Sequence, residues 1–381
     1  MEITNVTPLV LGTPWRNLTF VKVETDEGLY GVGEVRCNNR TNGLLGYLKD
    51  ALPRYVVGAD PFQIERLIQN FLHGDFGTHG EITLSALAIV EIACWDIIGK
   101  ALGQPVYNLL GGAVQRRIKA YANGWYTVER TPQEFHAAAR KVVERGYQAL
   151  KVDPFGAGRH TLTKEEFSLS VALIEAVRDA VGPEVDILIE MHGRFNVSTA
   201  VAMGHALAPY NPFWLEEPVP PHSYEAMREV KAKVNTPIAS GERLHDDRST
   251  RDLITSGAID FLQTDITHFG GLTRSKRAFA WADTYDILVA PHNVGGPVST
   301  AAALHVAAST PNFLIQEHFN DFADSWVKAA APGVPEVDAD GYFALPSGPG
   351  LGVELNEPLF AEHPQQDRYF SLYVDDWQKR K

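Results

Sequence analysis

Cysteine is nearly absent from this chain: two residues, Cys37 and Cys94, in 381. Two cannot build a disulfide framework, and Cys94 lies in the apolar stretch Ile-Ala-Cys-Trp, which reads as buried thiols in a reducing compartment. Basic clusters are lacking too. The 34 Lys and Arg stand against 47 Asp and Glu for a net charge of -13, and no basic run could track a phosphate backbone, which excludes nucleic acid as a partner. The N-terminus lacks a basic segment followed by an apolar one, and no apolar run of membrane-spanning length stands out, so no membrane association and a cytoplasmic location are expected. An acidic chain offers an anionic ligand no long-range attraction, so a carboxylate would have to be captured locally by a cation.

What is present is ordinary globular composition, 45% hydrophobic, in a chain longer than one core usually serves. The first part reads as α+β: strands over residues 2–11, 18–25 and 30–35, with Asp26-Glu27-Gly28 as a turn, then helical periodicity, longest over residues 82–102 and stopped by Gly103 and Pro105. From about residue 118 short apolar strands alternate with amphipathic helices. Strands are predicted at 118–123, 149–153, 186–192, 213–217, 237–242, 261–266, 287–292 and 313–317, with helices starting near Thr131, Thr163, Ser198, Ser223, Asp246, Gly271 and Val298. Eight parallel strands alternating with helices predict a (β/α) barrel. Because the stretch after Glu317 turns rich in Pro and Gly, the eighth helix is missing and the fold class is an α/β, (β/α)7β-type TIM barrel with an N-terminal α+β capping domain. The expected divisions are 1–117 for the cap, 118–330 for the barrel and 331–381 for a C-terminal segment returning to the cap.

Barrel active sites gather at the C-terminal strand ends, and here those positions are titratable: Lys151 and Asp153, Glu190 and His192, Glu216 and Glu217, Glu242, Asp265, His292, Glu317. Glu190, Glu216 and Glu242 are spaced 26 residues apart, about one strand, helix and two loops, which would set three carboxylates side by side. Converging carboxylates repel and lose solvation, so a hard divalent cation is their natural occupant. Faces alternate along a strand, so Glu216 and Glu217 point opposite ways; the equal intervals make Glu216 the inward one, with Glu217 in a salt bridge or loop hydrogen bond behind the site. His192 and His292 would supply an acid and a base, with Asp265 placed to orient the His292 ring; His268, in the following loop, is the nearest further histidine. Lys151 is open to three readings: a Schiff-base nucleophile, a proton-transfer base, or a charge partner for Asp153.

Several stretches together resemble the enolase superfamily, and within it the mandelate racemase-like branch of gluconate- and galactonate-type acid-sugar dehydratases. They are Ala88-Ile-Val-Glu-Ile-Ala-Cys-Trp-Asp-Ile-Ile-Gly-Lys100 with Gly103-Gln104-Pro105, Leu109-Leu110-Gly111-Gly112, Trp214-Leu215-Glu216-Glu217-Pro218, Gly270-Gly271-Leu272-Thr273 and Pro291-His292-Asn293. The resemblance spans nearly the whole chain. It implies that Glu190, Glu216 and Glu242 bind one Mg2+ per subunit together with the substrate carboxylate. It further implies that Asp265 and His292 form the Asp-His dyad, that His192 is the general acid, and that Glu317 hydrogen-bonds the substrate carboxylate. Lys151, Asp153, Trp15 and Arg16 are candidate substrate-binding residues, the last two in the loop 12–18; the stretch 73–80 is a second loop able to reach the distal end of a ligand. The implied reaction is dehydration of a sugar acid to a 2-keto-3-deoxy acid, in a homo-oligomer, dimer or octamer. Two departures stand out: Glu190 where the branch more often has Asp, and Lys151-Val152-Asp153 in place of the Lys-x-Lys of muconate-lactonising and epimerase members.

The same enediolate chemistry would serve a racemase, epimerase or cycloisomerase. A metal-dependent amidohydrolase is disfavoured because the first strand ends Tyr121-Ala122-Asn123-Gly124, without a His-x-His pair. From another class, a sugar-acid binding or regulatory protein would keep the barrel and lose turnover.

Overall fold

The computed structural model describes residues 1–77 and 79–380. Strands β1 (Ile3–Gly12), β2 (Asn17–Thr25) and β3 (Tyr30–Val35) form an antiparallel meander whose second turn is relieved at Gly28, φ +81°. Against it packs the helix Glu81–Leu102, buried along most of its length. The approach is backbone to backbone: a Cβ on Gly33 would stand 1.8 Å from the Ile89 carbonyl oxygen, so no other residue fits there. By length and composition this helix could cross a membrane, which corrects the expectation that no such segment exists. Its apolar sides are instead covered by the sheet and by the helices Thr41–Tyr55 and Ile64–Gly74.

The two buried acids of that helix, Glu91 and Asp96, explain its sequence. Glu91 accepts hydrogen bonds from the Leu272 N–H at 2.8 Å and the Thr273 N–H at 2.9 Å, satisfying the open N-terminus of the barrel helix Leu272–Asp283. Gly271 is obligatory beside it, since a Cβ there would lie 2.1 Å from a Glu91 oxygen. Asp96 accepts from Val32 N–H, Leu351 N–H and the Lys100 ammonium, tying sheet, helix and C-terminal segment together. Glu34 does for the helix Pro297–Ala308 what Glu91 does for its neighbour, accepting from the N–H groups of Gly296, Val298 and Ser299. Glu91→Ala would strand two buried N–H groups and is expected to lower unfolding free energy by about 2–4 kcal/mol. The check is the urea midpoint, with Glu91→Gln, which keeps one acceptor, falling less.

The barrel strands are β4 (Ile118–Ala122), β5 (Ala149–Val152), β6 (Asp186–Glu190), β7 (Trp214–Glu216), β8 (Ile238–Ser240), β9 (Phe261–Leu262), β10 (Leu288–Val289) and β11 (Gln316–His318). They pair in parallel around the sequence of strands, β11 returns to β4, and the Val289–Phe313 bridge closes β10 onto the approach to β11. Seven helices join the eight strands, and 3-10 turns at Asn320–Phe322 and Ser325–Ala330 stand where an eighth would be. One predicted cap shifts: the helix Val197–Leu207 is capped by Asn196, whose Oδ1 accepts from Thr199 N–H, in place of Ser198.

The barrel interior is filled by Tyr121, Ala149, Leu188, Trp214, Ala239, Ala290 and Ile315. Two residues further along the same pleat come Asn123, Lys151, Glu190, Glu216, His292 and Glu317, so every inward apolar residue except Ala239, which is followed by Gly241, gives way to a polar one at the mouth.

Strands are shorter than predicted because the chain leaves the pleat at the mouth: His192 and Glu217 take φ +47° and +41°, Gly241 φ +133°. After residue 345 the chain runs back along the cap, where Gly12 N–H bonds the His363 carbonyl and Asn17 pairs with Gln366. It then crosses onto the barrel mouth, where Trp377 Nε1–H donates to Gly156 O at 2.9 Å and Arg380 to Gly124 O at 3.0 Å.

Candidate active site

One carboxylate oxygen each from Glu190, Glu216 and Glu242 lie within 4.8 Å of one another. Glu190 and Glu216 are direct neighbours in the β6–β7 register, as equal spacing predicts. Glu242 is not: Glu216 pairs with Ala239, three residues earlier, and the turn at Gly241 carries Glu242 back into the group. Glu190 Oε2 is buried without a hydrogen-bond donor. Burial, and then the neighbouring Glu216, push the Glu190 carboxyl far above its ordinary range. Glu242 is buried too, yet His292 and Lys151 hold it down, at about 2.

Lys151 sits among these acids, its Nζ 2.8 Å from Glu317, 2.9 Å from Glu216 and 3.4 Å from Glu190. Burial disfavours its charge, but the surrounding carboxylates outweigh burial and keep it an ammonium. Pairing with Asp153 is therefore not what the fold builds. Val152 is the last strand residue, so Asp153 leaves the pleat and instead accepts from Arg194, from Phe155 N–H at 2.9 Å and from His192 Nδ1 at 2.5 Å. Both Lys151 and Asp153 are buried, and neither borders the open cavity.

His292 Nδ1 donates to Asp265 Oδ2 at 2.7 Å, while Thr267 donates through N–H and Oγ1 to the other Asp265 oxygen. That fixes the tautomer and leaves Nε2 facing the acids, 3.2 Å from Glu242 and 3.8 Å from Glu317. Burial works against the imidazolium, but Glu242, Glu317 and Asp265 prevail and lift His292 to about 9. His192 departs the other way: burial lowers it, opposed by Asp153. β6 and β10 are four strands apart in an eight-stranded ring, so the two histidines face each other across the mouth. His268 lies 3.9 Å from Asp265, with Nδ1 2.9 Å from Ser85 Oγ, and burial depresses it to about 3.

Glu317 accepts from Asn123 Nδ2 at 2.7 Å and from Asn293 N–H at 2.8 Å, besides Lys151. Lys151 and His292 hold it ionised despite burial, so it has no proton to offer a ligand carboxylate. As arranged, Glu317 orders its neighbours. Glu217 turns outward into an ion pair with Arg243 at 2.5 Å.

Above these groups is a cavity of about 580 Å³ between barrel and cap. His192, Glu242 and His292 border it from the barrel, Trp15 from the cap. Arg16 does not reach it; its guanidinium lies 4.4 Å from the Trp15 ring centre and donates to the Val294 carbonyl, because a buried arginine must spend its donors on protein acceptors. Among the described residues of 73–80 none borders the cavity, although Glu81 does; Thr78 lies outside the described residues. Asn123, Tyr126, Arg36, Trp377 and Arg380 also border it and were not foreseen. Asn123 was within reach of the alternation rule on β4. Trp377 and Arg380 had no local signal, since a long return path brings them there.

A closed barrel with three acids on consecutive strands, a dyad opposite and an α+β cap defines the enolase class of enzymes. Residues 134–359 match the family described as Enolase C-terminal domain-like, and residues 8–111 the Mandelate racemase / muconate lactonizing enzyme, N-terminal domain. The chain belongs to the mandelate racemase/muconate lactonizing enzyme family of the enolase superfamily. Curated relatives include a D-gluconate dehydratase of Thermoproteus tenax, 35% identical over 95% of this chain and 74% of the relative. Another is the D-gluconate/D-galactonate dehydratase of Picrophilus torridus, 36% identical over 91% and 88%. Among crystal structures, a mandelate racemase/muconate lactonizing enzyme from Sulfitobacter sp. is 32% identical, covers 98% of both chains and superposes with a TM-score of 0.91.

Proposed function

We propose that the protein dehydrates a sugar acid to a 2-keto-3-deoxy acid with one Mg2+ as cofactor. The observation that carries it is the pair of histidines facing each other across the acid cluster, each with its Nδ1 on a carboxylate. The names of the relatives support the same reaction. The all-oxygen donor set and the buried Glu190 Oε2, which accepts no hydrogen bond and has the Lys151 ammonium 3.4 Å away, fit a hard divalent cation held by Glu190, Glu216 and Glu242. When bound, such a cation makes the α-proton of a carboxylate removable by offsetting the second negative charge its loss creates.

The chain's own residues then divide the proton work. His292 Nε2, its tautomer set by Asp265, accepts the C2 proton, and the C–H pair becomes the enediolate. Neutralising Glu242 removes the first of the charges that raise His292, so its base form becomes more accessible. His192, whose imidazolium Asp153 favours against the burial that lowers it, gives a proton to the C3 hydroxyl; the C3–O bond breaks, water departs, and the enol tautomerises to the ketone. Glu317 holds Asn123, Lys151 and the start of the Asn293 loop in register. Histidines on opposite faces also suit racemisation of C2, which is the second reading.

The test is the purified protein with Mg2+ against a panel of aldonates, read by a colour reaction for 2-keto-3-deoxy acids. Dehydration of one or a few, abolished by chelator and restored by Mg2+, is the expected result; C2 inversion without keto-acid would replace it by the racemase reading. In His192→Asn, dehydration is expected to fall on the order of 10²- to 10³-fold while C2 deuterium exchange persists. Loss of both together would remove His192 from the acid role.

A further inference from the structure

The cap side of the cavity gathers more positive charge than the protein itself offsets. Arg40 is paired with Glu81, and Arg243 with Glu217. Arg36, just past the end of β3, is half-buried in the cavity wall and makes no hydrogen bond or ion pair with any described residue. Arg380 stacks 4.4 Å from the Phe319 ring and 5.1 Å from Trp15, and donates to the Gly124 carbonyl, with no acid partner among the described residues. Arg16 lies under the same Trp15, close enough to Arg36 and Arg380 that both, after burial, weaken its hold on its proton. The nearby carboxylate, Glu34, is committed to three backbone N–H groups. Two residues after Arg36 and also in the wall, the buried Oδ1 of Asn38 accepts from no donor among the described residues.

Guanidinium groups partly withdrawn from water and left without a counter-charge are unfavourable unless something completes them. In a chain of net charge -13 the imbalance is local to this cavity. The reacting carboxylate of a sugar acid is required at the barrel acids and cannot also serve the cap. A cavity of about 580 Å³ leaves room beyond it. We propose, given the sugar-acid reading above, that the substrate carries a second anionic group, a carboxylate or phosphate at the end of its carbon chain, bound by Arg36 with Arg380. A planar guanidinium suits either anion by paired N–H donors, and Asn38 Oδ1 would accept a neighbouring hydroxyl.

The experiment is calorimetric titration of the Mg2+-loaded protein with an aldohexonate, the aldarate of the same configuration and the 6-phosphoaldonate, in wild type and in Arg36→Met. At least one dianionic acid is expected to bind about tenfold or more tightly than the aldonate, and that ratio to shrink to about threefold or less in Arg36→Met. Arg36→Lys, which keeps charge without the fork, should fall between, and an unchanged thermal midpoint guards against misfolding. Whichever dianion binds more tightly identifies the distal group. Equal affinities in the wild type, no binding of either dianion, or a ratio insensitive to Arg36→Met would overturn the proposal. Binding preference without turnover of any acid would leave this site standing and count against the dehydratase reading alone.

Discussion

His292→Asn is expected to lower kcat/KM for dehydration by on the order of 10³- to 10⁴-fold, about 4–5.5 kcal/mol of transition-state stabilisation. Asparagine can still donate to Asp265, so the loop and the Thr267 contacts that share Asp265 should persist, and thermal stability should change little. What disappears is the basic atom: no other described side chain presents an unprotonated nitrogen at that point of the ring, because His268 is turned to Ser85 and His192 lies across the mouth. C2 deuterium exchange should vanish with dehydration, in contrast to His192→Asn. The sign of the pH dependence follows from the same ring. Activity requires unprotonated His292, so kcat/KM should fall by about a decade per pH unit on the acid side of its pKa. That pKa should lie below the value of about 9 that the uncompensated carboxylates produce, since a cation at Glu242 removes part of the lift. Exchange surviving in His292→Asn would transfer the base role to another group.

Glu190→Gln is expected to weaken Mg2+ binding by roughly 10²-fold or more, about 2.7 kcal/mol, and to reduce turnover at fixed Mg2+ accordingly. The sign on stability is opposite in the two metal states. Without metal, Glu190 is a buried carboxyl whose charge is opposed first by burial and then by Glu216, so a neutral amide of the same shape relieves repulsion. The metal-free variant should therefore melt at or above the wild type. Mg2+ should raise the wild-type midpoint by mass action and leave that of the variant nearly unmoved at the same concentration. Thermal melts with and without Mg2+ read both effects without any substrate. A variant midpoint that climbs with Mg2+ as the wild type's does would exclude Glu190 from the cation site.

Which residues face inward was legible wherever the strand pattern is local. Ala149 to Lys151, Leu188 to Glu190, Trp214 to Glu216, Ala290 to His292 and Ile315 to Glu317 each step two residues along a pleat, and two-residue periodicity is a property of the chain alone. The capping motif was recognisable as a pattern, but its meaning was not. Glu91 and Asp96 look like charges misplaced on an apolar helix until Leu272, Thr273 and Leu351 supply the N–H groups they satisfy. Alternation failed one residue past a strand end, where Asp153 leaves Lys151 for Arg194 and His192. Equal spacing brought Glu242 to the other two acids, but by the positive-φ turn at Gly241 and not by strand register.

By itself, then, the sequence determined the order of strands and helices, the inward row of each strand and the acids and histidines at the mouth, because these follow from short-range periodicity and short connections. The tertiary structure alone decided which charge answers which: Lys151 among the acids, Arg16 spent on Val294, Arg36 left without a partner among the described residues, and Trp377 and Arg380 drawn over the mouth. Those pairings join residues up to hundreds of positions apart, and burial sets their strength by removing the water that would otherwise screen them.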